Sequence, residues 1–118
     1  MKNFQELKVW KLGIQIVKEV YIVSKLIPGN EQFGLINQIT RAAVSIPSHI
    51  AEGSSRNSDK EYKRFLEIAL GSSFELQTQI LILNEIDYLN HETVKKLIEM
   101  IQEEQKMLQV FISKINHS

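Results

Sequence analysis

A chain of 118 residues with no cysteine is one domain by length, 1–118, and can hold no disulfide, thiolate metal site or cysteine nucleophile. Its 14 basic and 14 acidic side chains cancel, which removes the general attraction of a basic protein for nucleic acid or an anionic membrane. The neutrality hides an asymmetry, because residues 1–64 carry ten basic against six acidic side chains and residues 65–118 four against eight, halves of +4 and −4. The longest apolar runs, such as Ile80 to Leu83, fall far short of the roughly 20 residues that span a bilayer, and the lysine-punctuated start lacks the apolar core of a signal peptide. A cytoplasmic protein is expected.

Apolar residues recur at steps of three and four between sparse prolines and glycines, and no segment alternates as a strand does. Helix 1 is predicted from about Phe4 to Leu26, stopped by Pro28 and Gly29. Helix 2 begins near Asn30, a good N-cap residue, and runs toward Gly53. It contains Pro47, which removes one hydrogen bond and presses on the carbonyl of Ala43 at a cost of roughly 3 kcal/mol. The helical spacing resumes at Ile50 and Ala51, so we read one helix bent at Pro47, with Ser48, another nearby hydroxyl or a water satisfying the freed carbonyl. Helix 3 opens at Ser58, whose side chain can accept from the third helical amide while Glu61 reaches back to the cap. Its apolar line is Tyr62, Phe65, Ala69, Leu76, Ile80 and Leu83. Asn90 caps helix 4, with the line Val94, Leu97, Ile101, Leu108, Ile112 and Ile115. Connections this short imply an all-α, up-down-up-down antiparallel four-helix bundle.

Helix 1 carries two apolar stripes, Trp10, Ile14, Val17 and Tyr21 beside Val9, Ile16, Val20 and Val23, which together cover about 200° where about 100° serves one core. Met100, Met107 and Val110 are a similar surplus on helix 4. Such excess marks an interface, and we assign Val9, Ile16, Val20, Val23, Met100, Met107 and Val110 to contacts in a homo-oligomer.

Candidate sites are few. Paired Glu-x-x-His motifs would make a metal centre in a bundle, but the chain offers only His49-x-x-Glu52, in reverse order, with His91 in a predicted loop and His117 by the chain end; no metal or cofactor is expected. Ser72 and Ser73 lie inside a predicted helix with no oxyanion site. Ala69, Gly71 and Ser72 are better read as small residues allowing close helix approach, facing Ala42, Ala43 and Ser45. The stripe Gln38, Arg41, Ser45, Ser48 and Glu52 lies between apolar rows, and since buried charges must be paired, we expect a network of Gln38, Arg41, Ser45, Glu52 and Glu75 with Arg41 on Glu52 or Glu75. A basic line, Lys8, Lys11, Lys18 and Lys25, together with Arg56, Lys60, Lys63 and Arg64, is a candidate phosphate-contacting surface, although no aromatic residues interleave for base stacking.

The segments FQELKVW, PGNEQFGLINQITRAAVSIPSHIAEGSSR and FLEIALGSSFELQTQI resemble the bacterial four-helix-bundle proteins encoded by intervening sequences in 23S ribosomal RNA genes. The most specific positions are Gln38, Arg41, Ala42, Ser45, Ile46, Ile50, Ala51, Glu52, Gly53, Arg56, Phe65, Ala69, Gly71, Ser72 and Glu75, and His49 stands where that family often has Asn. The resemblance implies a homopentameric, barrel-like ring. It also implies kinship in fold with the accessory variability protein of diversity-generating retroelements, which associates with a reverse transcriptase and nucleic acid. The leading expectation is a non-catalytic oligomeric scaffold that binds RNA, or an RNA-processing or reverse-transcribing partner. The alternatives are a purely structural assembly protein without nucleic-acid binding and a helical-bundle enzyme using His49, Glu52, Ser72 and Arg41.

Overall fold

A computed structural model describes residues 3–115, and among these every regular element is helical. The four long helices are α1 (Lys8–Ser24), α2 (Asn37–Ser54), α3 (Asp59–Glu85) and α4 (His91–Ile115). The start of helix 1 is a separate 3-10 turn, Phe4–Glu6, capped by Asn3, and His91 is the first residue of α4 rather than part of a loop. The start predicted at Asn30 is corrected: a 3-10 turn, Gly29–Glu31, and a π turn, Gln32–Ile36, precede α2. Two glycines among those residues, Gly29 and Gly34, disfavour a regular α-helix there because their backbone loses the most conformational freedom on ordering. Tyr88 Oη donates to Glu31 at 3.3 Å, tying this segment to the α3–α4 connection. Ser58 caps α3 by accepting from the Glu61 amide at 3.1 Å, without the return contact from the Glu61 side chain, and Asn90 accepts from the Thr93 amide at 2.8 Å.

Contacts between neighbouring helices run in opposite order along the chain. Ser45 meets Ser72 and Gly53 meets Phe65 across α2 and α3; Tyr62 meets Phe111 and Gln77 meets Gln105 across α3 and α4. Helix α1 packs on α2 and α4. The core contains the predicted lines of α3 and α4, except Tyr62 and Ile115 which are half-buried at its edge, with Ile39, Ala42, Ala43, Ile46 and Ile50 of α2 and residues of α1.

The interface assignment on helix 1 is corrected. Val9, Ile16, Val20 and Val23 lie in the core, with Ile16 and Val20 wholly buried, and Trp10, Ile14 and Val17 form the outer stripe. The two stripes are equivalent as patterns, and Gly13 decides between them. The buried row is Val9, Gly13, Ile16, Val20, Val23 and Ile27, at steps of four and three, and α1 approaches its neighbours where the row has no side chain. A Cβ on Gly13 would stand 3.2 Å from Glu104 Oε2 and 3.4 Å from Cβ and Cδ of Pro47. Pro47 is buried inside α2, which runs unbroken through it. Neither Ser48 nor any other described hydroxyl bonds the Ala43 carbonyl. Met100 and Met107 are half-buried against the core, and of the three surplus residues on α4 only Val110 is exposed.

The close-approach residues divide. Ala42, Ala43, Ala69 and Ser72 are buried along α2 and α3, whereas Gly71 is exposed and a Cβ there would meet nothing within 4 Å. The tight glycine of this seam is Gly53, where a Cβ would lie 2.8 Å from Phe65 Cβ and 3.0 Å from Tyr62 Cδ1. Overpacking of this kind costs about 1 to 3 kcal/mol, so Gly53→Ala is expected to destabilise the bundle by that amount. Gly71→Ala gains helix propensity of up to about 1 kcal/mol and is expected to leave the bundle at least as stable; urea unfolding of the two variants checks the contrast.

Candidate functional site

The polar positions of α2 meet those of α3 along one seam. Ser45 Oγ lies 2.7 Å from Ser72 Oγ and 2.9 Å from His49 Nδ1, and the same nitrogen is 2.8 Å from the Ser45 carbonyl. Nδ1 thus stands between a carbonyl that only accepts and a hydroxyl that can donate, so the ring is held against Ser45 in either tautomer. The three side chains join α2 to α3 in one polar cluster. His49 stacks on Phe65 at 6.1 Å, and the guanidinium groups of Arg56 and Arg64 lie 4.8 and 5.6 Å from the centre of that ring.

The expected ionic network is corrected at Glu52, which pairs with Arg56 at 2.8 Å one turn on, in a surface position; that spacing satisfies the charge locally, without reaching across helices. Gln38, Arg41, Ser45 and Glu75 do come together, lining a cleft of about 510 Å³ with Asn37 and Ala42. Arg41 and Glu75 are both exposed there and make no ion pair within 4.0 Å among the described residues.

Along the α1–α2 side runs a second surface that the sequence reading placed on the wrong stripe. Trp10, Ile14, Val17, Val44, Pro47, Ser48 and Ala51 line a depression that continues through Tyr21, Thr40 and Arg41 to Ser24, Phe33 and Ile36. The result is a trough along α1 that is apolar from Trp10 to Ala51 and mixed beyond Val44, where Asn37, Thr40, Arg41 and Ser45 join its lining, with Tyr21 49% and Phe33 90% exposed. Lys11, Lys18 and Lys25, all exposed, each follow by one residue Trp10, Val17 and Ser24. At about 100° per residue they form its solvent-side bank.

The basic surface is divided by the fold. Leu7 and Val9 line a groove with Met107 and Phe111, and Phe111 also meets Tyr62, so the start of α1, the α2–α3 connection and the end of α4 share one end of the bundle. Lys8, Lys11, Arg56, Lys60, Lys63 and Arg64 belong to that end. Lys18 and Lys25 run away from it along α1, because one straight helix cannot keep residues seven and fourteen positions further on at the same end.

One further group was not singled out by sequence. Glu104 is fully buried, both carboxyl oxygens lack a hydrogen-bond partner, and Oε2 faces Gly13. The signal was present as a gap: the line of helix 4 passes from Ile101 to Leu108, and the core position between them is 104. Burial pushes its pKa from 4.5 up to about 8. No group of three His, Cys, Asp or Glu side chains able to hold a metal ion occurs among the described residues, and none of the described helices is long and apolar enough to cross a membrane.

These features define an all-α, four-helix protein with a polar seam and an outward apolar trough. Residues 5–110 match the profile of the 23S rRNA-intervening sequence protein family, and the chain belongs to that family. The crystal structure of a protein of unknown function from the S23 ribosomal protein family, from Bacteroides thetaiotaomicron, has the same fold, with a TM-score of 0.82 at 22% identity over 88% of this chain and 97% of that one. No curated protein matches the chain in sequence.

The buried acid makes stability depend on pH with a definite sign. A carboxyl whose folded pKa is raised from 4.5 to about 8 gives stability that is complete below the lower value and is lost as pH rises through the upper one. The loss across that window is about 5 kcal/mol at most. Equilibrium unfolding at acidic and alkaline pH is expected to show it in the native chain and to show a much flatter profile in Glu104→Gln; matching profiles would mean that the carboxyl has a compensating partner.

Proposed function

We propose that this chain is a non-catalytic scaffold that assembles with copies of itself and presents a basic end to RNA, or to an RNA-processing or reverse-transcribing partner, in the cytoplasm. The observation that carries the reading is the apolar trough of α1 and α2, a surface larger than a solitary bundle needs. The unit of assembly is an up-down-up-down antiparallel bundle, a reading supported by the opposite contact orders of its helices, and the family resemblance implies a ring of five. The locked Ser45–Ser72–His49 seam argues against an enzyme. Repetition of Lys8, Lys11, Arg56, Lys60 and Arg64 around a ring would give many weak phosphate contacts at once.

Sedimentation at micromolar concentration is expected to show a multimer, and a monomer would overturn the scaffold reading. Structured RNA is expected to bind at low salt. With four or five phosphate contacts, log affinity should fall against log salt with a slope of about 3 to 4, and the reversals Arg56→Glu and Lys60→Glu should flatten it. Absence of binding at low salt would remove RNA and leave assembly with a protein partner.

A further inference from the structure

We infer that the trough between α1 and α2 is filled by the outer face of α3 from a second copy of this chain. The inference rests on the self-association proposed above and names the two surfaces that meet. On α3, Glu67, Gly71, Phe74, Thr78, Leu81 and Glu85 follow one another at steps of four and three, and all are exposed. They therefore form a single row on the helix, on the side opposite the buried row Phe65, Ala69, Leu76, Ile80 and Leu83. Phe74 is 47% and Leu81 43% exposed, an apolar ridge with no partner in its own bundle. Gly71 has no neighbour in its own chain that excludes a Cβ. A glycine inside a helix costs up to about 1 kcal/mol against alanine, and the close approach of another chain to this row would account for it.

Charge identifies the occupant. The ridge row carries two carboxylates, Glu67 and Glu85, and between Arg64 and Lys95 the sequence contains no lysine or arginine. The bank of the trough is the reverse: from Lys8 to Lys25 there are four lysines and a single acid, Glu19, and Arg41 lies at the trough's other edge. An apolar ridge rimmed by carboxylates thus matches an apolar trough rimmed by ammonium and guanidinium groups, and like-charged pairings of ridge with ridge or trough with trough are disfavoured. The two surfaces are different patches, since α1 and α3 each pack on α2 and α4. The contact is therefore heterologous, and each copy uses one face toward each of two neighbours.

A heterologous contact can be tested by mixing. One full-length variant carries Tyr21→Glu and Val44→Glu in the trough, and another carries Phe74→Lys and Leu81→Lys on the ridge. All four positions are exposed, so both variants should retain the wild-type helical circular dichroism. Each alone is expected to sediment as a monomer where the wild type is a multimer, and an equimolar mixture should form a 1:1 dimer and nothing larger, because only one intact trough and one intact ridge remain. A second pair, Lys11→Glu with Lys18→Glu and Glu67→Lys with Glu85→Lys, alters no apolar side chain and should behave alike, each weakening assembly at least tenfold. A ridge variant that assembles as the wild type does overturns the pairing while leaving self-association intact. A monomeric wild type overturns both. Two monomeric variants that fail to combine show that the faces do not meet each other.

Discussion

Three residues from three helices set how this bundle closes: the absent side chain of Gly13 on α1, the ring of Pro47 on α2 and the carboxyl of Glu104 on α4. At the closest point a single added carbon would crowd both Pro47 and Glu104. Because α1 is drawn inward at Gly13, the row containing that glycine becomes the core row, and Trp10, Ile14 and Val17 are left half-buried at its edge. The outward trough is thus a consequence of the inward contact. Pro47 takes part in both, packing against Gly13 on one side and contributing to the trough's lining on the other. The buried acid is the cost of this layer, since a carboxyl with no hydrogen-bond partner is tolerated in a core only while it is uncharged.

The α2–α3 seam works differently. Ala42, Ala43, Ala69 and Ser72 allow close approach, Gly53 receives Phe65 and Tyr62, and Ser45, Ser72 and His49 satisfy one another between the helices. A serine beside a histidine invites a catalytic reading. In the structure the two hydroxyls and the imidazole are engaged with one another and with the Ser45 carbonyl, which ties α2 to α3. The polar residues of α2 and α3 therefore divide between packing at Ser45 and Ser72 and an exposed cleft at Arg41 and Glu75.

Much of the architecture is written in local chemistry. Ser58 and Asn90 cap the helices they were expected to cap, the apolar lines of helices 3 and 4 are buried except at Tyr62 and Ile115, and the helix containing Pro47 is one helix. Four readings failed for a common reason. The choice of stripe on helix 1, the pairing of Glu52, the role given to Gly71 and the grouping of Lys18 and Lys25 with Arg56 each depend on which residues of other helices lie opposite, and spacing along one helix is silent about that. Glu104 was legible only as a missing apolar residue in an otherwise regular row.

The sequence by itself determined the four long helices, the caps at Ser58 and Asn90 and the family, because periodicity, capping side chains and a family-specific string of residues act within short stretches of chain. Tertiary structure alone decided which face of α1 is inside, that a glutamate is sealed in the core, and that an apolar trough with a lysine bank stands on one side while an apolar ridge with glutamates stands on another. The physical reason is that burial and facing charge belong to pairs of surfaces, and those pairs exist only once Gly13 has let the helices come together.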